Sequence, residues 1–156
     1  MKRKHEFRKG FTIIELLIVI AVIAVLIAIA LPRFKGMREE GDIARAKGEL
    51  RTLQAALESY YSHNNNAYPA TGSAALDSAL AVAEPRIVGG VMVDPFDTGG
   101  GDYKYVVGGT NNKYYVLYSA GTNGNGSAAL AGDTAITETN GASCIYVSNI
   151  STDTQP

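Results

Sequence analysis

The sequence predicts an α+β protein in which a long N-terminal helix packs on a small antiparallel sheet. The first half of this helix is expected to be transmembrane and the second half amphipathic. Three observations support the prediction: an unbroken apolar run near the N-terminus, an apolar stripe of helical period after it, and short alternating segments between glycine-rich turns in the remainder. The length of 156 residues suffices for one ordinary domain.

Charge and cysteine content exclude several classes of protein. Lys and Arg number 14 and Asp and Glu 15, so the net charge of −1 lacks the broad basic field of a nucleic-acid-binding protein. The single cysteine, Cys144, excludes an intramolecular disulfide scaffold, and together with two histidines it is too little for a Cys-rich zinc site. Basic residues cluster at the N-terminus, at Lys2, Arg3, Lys4, Arg8 and Lys9.

Residues 11–31 are predicted to span a membrane, because Thr12 and Glu15 are their only polar members. As a helix that rises about 1.5 Å per residue they reach roughly 31 Å, the thickness of a bilayer core. The basic cluster before them is expected to stay in the cytoplasm, which places the rest of the chain on the other side of the membrane. A removable secretory signal that ends at Ala28-Ile29-Ala30 is the alternative.

Glu15 lies inside the apolar run, where a carboxylate costs about 2.5–3.5 kcal/mol near a helix centre and less near an end. Such a charge is expected to pair with a cation at the same depth. A new α-amino group, made by a cut between Gly10 and Phe11 and supplied by a neighbouring copy, is the candidate. The alternative is that Glu15 snorkels to the membrane interface.

The segment Lys9-Gly10-Phe11-Thr12-Ile13-Ile14-Glu15-Leu16, with a basic leader before it and an apolar run up to Pro32 after it, resembles the class III signal of type IV pilins and type II secretion pseudopilins. The resemblance implies that residues 1–10 are a leader and that a prepilin peptidase cuts after Gly10 and methylates Phe11. It also implies that Glu15 pairs with the N-terminal amine of an adjacent subunit during filament assembly.

The resemblance further implies a location and a set of partners. The precursor is expected in a bacterial inner membrane as a single-pass protein, with its N-terminus in the cytoplasm and its head in the periplasm, before assembly into a periplasmic or surface filament. Other pilin-like subunits, the prepilin peptidase, an inner-membrane platform protein and an assembly ATPase are the expected partners.

The helix is expected to continue beyond the membrane segment as a kinked amphipathic helix over residues 32–63. Pro32, Gly36 and Gly41 predict either a plain kink or a stretch that melts on assembly. Apolar residues then recur at helical spacing, which predicts a stripe that packs on the protein's own sheet; they are Ile43, Ala46, Leu50, Leu53, Leu57 and Tyr60. Lys47, Glu49, Arg51 and Glu58 are expected on the other faces.

The remaining residues, 64–156, are predicted to form a turn-rich head of the pilin kind. Asn64-Asn65-Asn66 ends the long helix. A brief helix is expected over residues 74–83, and three antiparallel strands over residues 103–107, 114–119 and 144–148. Residues 108–112 predict the hairpin turn between the first two strands, and residues 127–139 are expected to be a surface loop.

Head motifs resemble those of the major pseudopilin of type II secretion, namely Asp94-Pro95-Phe96, Tyr103-x-Tyr105 and Tyr118-Ser119-Ala120-Gly121. In that family a Ser-x-Gly turn opens a calcium loop. Here Phe96 and Asp97 stand where the family has Trp and Gly, and Thr122-Asn123 stands where acids usually enter the loop. The candidate calcium ligands are Ser119, Asn123, Asn125 and Asp133, which include one carboxylate although calcium prefers several; a hydrogen-bonded turn is the alternative.

We therefore predict a structural filament subunit, a pseudopilin of a type II secretion system that is no enzyme and needs no cofactor other than the calcium considered above. A major or minor type IV pilin of a surface pilus is one alternative, and a membrane-anchored extracytoplasmic binding domain is another. No catalytic residues are predicted. Cys144 is expected to be a small buried residue, and Asp94, Asp97 and Asp102 are expected to form turns.

Overall fold

A long helix, a short helix and five strands make up the part of the chain that the structure, a computed structural model, describes: residues 10–88, 92–132, 135–139 and 144–150. In chain order the elements are α1 (Ile13–His63), α2 (Ser73–Ala81), β1 (Lys104–Gly108), β2 (Tyr114–Ser119), β3 (Ser127–Ala131), β4 (Ala135–Thr139) and β5 (Ile145–Ser148). The chain divides into two compact units between Arg38 and Glu39. The α+β class with one long N-terminal helix is confirmed.

Helix α1 continues through Pro32, Gly36 and Gly41 without a break in its helical assignment. Melting of this stretch in an assembled filament stays a prediction. The helix ends where the sequence predicts, because Asn65 and Asn66 adopt the left-handed conformation (φ 53° and 54°) that asparagine tolerates well.

The first unit, up to Arg38, consists of the N-terminal part of α1 in its described residues. This helix is long and apolar enough to cross a membrane, and its most apolar window buries none of its residues within the protein. Such a surface needs lipid or other apolar helices around it, because water solvates it poorly.

In the second unit, β1, β2 and β5 form an antiparallel sheet in the order β1-β2-β5. Tyr105 pairs with Leu117, and Leu117 pairs in turn with Val147. The predicted hairpin turn joins β1 to β2, with Asn111 and Asn112 in the left-handed region. All three predicted strands are therefore confirmed to within a residue, and α2 matches the predicted brief helix.

The main core of the head joins the apolar stripe of α1 to one face of this sheet. The fully or nearly fully buried members from α1 are Ala46, Leu50, Leu53, Ala56 and Leu57, and those from or next to the sheet are Tyr103, Tyr105, Tyr115, Leu117 and Ile145. Ile43 and Tyr60, at the two ends of the predicted stripe, are partly buried against the same core. The stripe packs on the protein's own sheet as predicted.

Two glutamates of α1 bond tyrosines of the head, although the sequence predicts these glutamates on the other faces of the helix. Glu58 accepts hydrogen bonds from the hydroxyls of Tyr68 and Tyr115 at 2.9 and 3.0 Å, and Glu49 accepts one from Tyr103 at 2.7 Å. Burial, and then the nearby carboxylate, raise the pKa of the Tyr103 and Tyr115 hydroxyls. These tyrosines therefore stay protonated and donate.

The prediction of a surface loop over residues 127–139 is wrong, because β3 and β4 form an antiparallel hairpin there, in which Ala129 pairs with Thr137. The hairpin covers the sheet face opposite α1 and builds a second small core around Val116, Ala128 and Cys144. Gly108 permits this approach: a Cβ at that position would lie 3.0 Å from the Leu130 Cδ1 atom. Alanine and threonine dominate the hairpin, so successive residues along its strands differ little in hydrophobicity.

Candidate assembly segment and head loops

The start of α1 is closed by a reciprocal pair of contacts between Thr12 and Glu15. The Glu15 backbone N–H donates to Thr12 Oγ1 at 3.3 Å, and the Thr12 N–H donates back to Glu15 Oε2 at 3.0 Å. The Thr12 hydroxyl donates to the same carboxylate oxygen at 2.8 Å. This is a capping box, which satisfies backbone N–H groups that the first helical turn leaves without partners.

Thr12 is a residue that the sequence-based search for functional residues missed. The signal was available, since Thr-x-x-Glu directly before an apolar run is the sequence signature of a capping box. The box gives Glu15 partners within its own chain while the subunit is separate.

Gly10 and Phe11, the predicted processing residues, lie just before α1. Phe11 is 77% exposed, and a Cβ placed on Gly10 would meet no heavy atom within 4 Å. Cleavage between them stays a prediction. Pro32, the third predicted assembly residue, is an exposed member of α1.

Large apolar side chains stay exposed throughout residues 11–37 of the first unit. Those that are at least 55% exposed are Phe11, Ile13, Ile14, Leu16, Leu17, Ile18, Ile20, Val25, Leu26, Ile29, Leu31, Phe34 and Met37. A shallow groove between Leu17 and Leu26 is almost entirely apolar. Within residues 11–32 Glu15 is the one charged side chain, so the surface combines a wide apolar area with a single anionic group.

In the head, a second group of contacts surrounds Asp94, which is 1% exposed. Its carboxylate accepts hydrogen bonds from Ser119 Oγ at 2.7 Å and from the backbone N–H groups of Ala120 at 2.8 Å and Phe96 at 3.0 Å. Asp97 accepts from the Gly99 N–H at 2.8 Å and from Lys104 Nζ at 3.1 Å. Asp94 and Asp97 therefore shape turns, as the sequence predicts.

The candidate calcium ligands do not fit a calcium site in the part of the chain that is described. The Ser119 hydroxyl is fully buried, donates to Asp94 and accepts the Gly121 N–H at 3.1 Å. Asn123 and Asn125 are exposed neutral amides, and Asp133 lies outside the described residues. No group of three or more His, Cys, Asp or Glu side chains suited to a metal is found in those residues.

The side chains of His63 and Cys144, which could in principle act as a base or a nucleophile, take part in local structure. Nδ1 of His63, at the end of α1, lies 2.8 Å from the Ser59 carbonyl oxygen. Cys144 is buried, and burial raises the pKa of its thiol to about 11, which keeps it protonated and unreactive at neutral pH.

Comparison with known proteins agrees with these features. The model of the prokaryotic N-terminal methylation motif matches residues 7–31, and the model of type II secretion system protein G matches residues 33–137. Type II secretion system core protein G of Pseudomonas aeruginosa is 29% identical over 130 residues, which are 80% of this chain and 89% of that protein. The Escherichia coli protein of the same name is 30% identical over 128 residues, or 78% and 87%.

A pilus-associated protein is similar as well. Fimbrial protein EcpC of Eikenella corrodens is 35% identical over 95 residues, which cover 61% of this chain and 60% of that protein. No solved structure matches the chain. Because the protein G model spans most of the chain, including most of the head, the chain belongs to the type II secretion protein G family, the major pseudopilins.

Proposed function

We propose that this chain is made as a membrane-anchored precursor, is cut after Gly10 and methylated at Phe11, and polymerises through α1 into the pseudopilus of a type II secretion system. The observation that carries the proposal is the exposed apolar surface of residues 11–37, with Glu15 as the one charge in its membrane-length part. Membership of a structural pseudopilin family gives no positive sign of catalysis.

Polymerisation replaces lipid around this surface by the same surface of other copies. The apolar side chains gain little free energy when protein neighbours replace lipid. The polar group among them therefore decides which surfaces associate. Glu15 supplies that group: its carboxylate exchanges the Thr12 contacts of the capping box for the α-amino group of a neighbouring copy. The cut after Gly10 creates this amine, which links processing to assembly.

The location follows from the charge pattern. The basic residues before Phe11 keep the N-terminus in the cytoplasm, so the head lies in the periplasm. The prepilin peptidase acts at the cytoplasmic end of the helix, and the platform protein and the assembly ATPase then drive subunits from the membrane into the filament.

The first test is intact-mass and N-terminal peptide mass spectrometry of the protein from membranes of cells that carry its own assembly system. A mature chain that begins at methylated Phe11 supports the proposal. A chain that begins at Leu31, or an uncut Met1, contradicts it.

A second test separates processing from assembly. Glu15→Gln keeps the shape of the side chain and removes its charge, so we expect normal cleavage after Gly10 and loss of filaments from the sheared fraction. Glu40→Gln, an exposed position outside the apolar segment, is the matched control and should assemble normally. Equal assembly of the two variants would show that the Glu15 charge plays no part.

A surface type IV pilus is the second candidate function, favoured by the similarity to the fimbrial protein EcpC. Deletion of the gene distinguishes the two. A pseudopilin deletion abolishes export of periplasmic proteins and leaves surface pili in place, whereas a pilin deletion removes the pili and leaves export intact.

A further inference from the structure

We propose that the buried carboxylate of Asp94 holds the loop after β2 closed in this chain, so that the head folds independently of calcium. The family resemblance assigns the closure of this loop to calcium. The two segments concerned are the Asp94 loop (residues 94–101) and the Ser119 loop (residues 119–126). The inference concerns folding of the head alone and does not depend on assembly.

Asp94 joins the two loops through both of its carboxylate oxygens. Oδ1 accepts from the Ser119 hydroxyl and from the Phe96 N–H, and Oδ2 accepts from the Ala120 N–H. Ser119 and Ala120 stand at the point where the chain leaves β2 and enters the Ser119 loop. The carboxylate therefore fixes the entry to that loop from a separate segment 25 residues earlier in the chain.

A buried carboxylate is tolerated only where hydrogen bonds or positive charges compensate its lost hydration. Here two backbone N–H dipoles and one hydroxyl supply that compensation. Lys104, the nearby cation of β1, is engaged with Asp97 at 3.1 Å. The groups around Asp94 thus form a complete anion-binding site. Its three donors stabilise the charge of the carboxylate, as a cation would.

The Ser119 loop is also closed by its own backbone. The Gly126 N–H donates to the Ala120 carbonyl oxygen at 2.8 Å, and the Gly124 N–H donates to Gly121 at 2.8 Å. A Cβ on Gly126 would lie 2.7 Å from that Ala120 oxygen, so the closure requires glycine. The Ala120 carbonyl, a type of oxygen that calcium loops use as a ligand, is thus held in place by the backbone of its own loop.

The two loops also approach each other at Gly124. A Cβ on Gly124 would lie 3.4 Å from the carbonyl oxygen of Phe96 and 4.0 Å from the Thr98 methyl group. The Phe96 carbonyl oxygen and the Thr98 methyl group therefore lie within reach of a side chain at position 124. A cation in the Ser119 loop would gain neutral amides in place of the several carboxylates that calcium prefers.

The test is thermal unfolding of the full-length mature chain in detergent, followed by the near-UV circular dichroism of its tyrosines. The midpoint is measured with excess EGTA and with millimolar calcium chloride. We expect the same midpoint in both media, and no heat when calcium chloride is titrated into the EGTA-treated protein. A higher midpoint in calcium, or saturable binding heat, would overturn the proposal.

Variants assign the closure to Asp94. Asp94→Asn replaces one acceptor oxygen by an NH₂ group that faces existing donors, so we expect the midpoint to fall by roughly 5–10 °C in both media. Ser119→Ala removes one donor and gives a milder test if the first variant fails to fold. Asn123→Ala and Asp133→Asn, which remove candidate calcium ligands, should leave the midpoint unchanged in either medium; a loss of midpoint seen only in calcium would contradict the proposal.

Discussion

The two units of the chain use apolar side chains in opposite ways. In the first unit Leu26 is 61% exposed and Leu31 is 61% exposed, whereas in the second unit Leu50 and Leu57 are fully buried. All four residues belong to the same helix, α1. The difference teaches that the second unit carries its own burial partner, the sheet, whereas the described residues of the first unit leave their large apolar side chains exposed.

The same substitution in each unit tests this comparison most strongly. Leu57→Ala opens a cavity between α1 and the sheet, so we expect the head to lose about 2–5 kcal/mol of unfolding free energy. Leu26→Ala removes a side chain that makes no core contact within the described protein, so head unfolding should not change. Urea titration in detergent, followed by tyrosine circular dichroism, measures both. Equal losses would mean that the first unit contributes to the head core.

Two glutamate substitutions on α1 extend the test from its apolar side chains to its polar ones. Glu58→Gln weakens the acceptor shared by the Tyr68 and Tyr115 hydroxyls, and we expect a loss of about 1–3 kcal/mol. The control, Glu40→Gln, changes an exposed carboxylate and should stay within about 0.5 kcal/mol. The same urea titration reports both, and a silent Glu58→Gln would show that the tyrosines find other partners.

Two helical glycines give a stabilising test. A Cβ on either Gly36 or Gly48 would meet nothing within 4 Å, so alanine fits at both positions. Gly48→Ala, in the second unit, should raise the unfolding free energy of the head by about 0.5–1 kcal/mol through helix propensity. Gly36→Ala, in the first unit, should leave it unchanged. A gain at Gly36 of the same size would show that both units unfold together.

The smallest effect is electrostatic and lies within the head. Burial, and then the charge of Asp102, raise the pKa of Asp77 above its ordinary value of 3.8. The folded state therefore holds this proton more tightly than the unfolded state, and stability is lost as the pH rises through the interval between the two pKa values. Since Asp77 is only partly buried, Asp77→Asn should raise stability by no more than about 0.5 kcal/mol at pH 7.

At pH 3 the same variant should nearly match the unmodified protein, because Asp77 is then mostly protonated in both states. Thermal midpoints at the two pH values measure the difference. A gain at pH 3 equal to that at pH 7 would assign the effect to packing and not to charge.

Elements with strong local signals could be predicted from the sequence. The stripe of α1 repeats an apolar residue every three or four positions, and the asparagines after β1 favour the left-handed turn that they adopt. The leader motif identified the family because its glycine, aromatic residue and glutamate stand at fixed positions. In each case the information lies within a few neighbouring residues.

Contacts between distant segments could not be predicted in the same way. Tyr103 bonds Glu49 across 54 positions of the sequence, and Tyr115 bonds Glu58 across 57. The residues next to each of them in sequence are those of an ordinary surface glutamate or strand tyrosine, so they carry no signal of the contact. Asp94 was recognised as a turn residue, but its burial depends on Ser119 and Ala120. The β3–β4 hairpin could not be predicted, because its alternating residues are small and most of its core is supplied by the sheet that it covers.

The glutamate–tyrosine contacts have a mechanical consequence. Glu49 and Glu58 are nine positions apart, so along an α-helix they stand about 14 Å from each other. An axial pull on α1 thus reaches the head at two separated points, Tyr103 at one and Tyr68 with Tyr115 at the other. Hydrogen bonds at two points along the axis oppose both sliding and rocking of the head against the helix. The head and residues 39–63 of α1 should therefore respond to load as one stiff body.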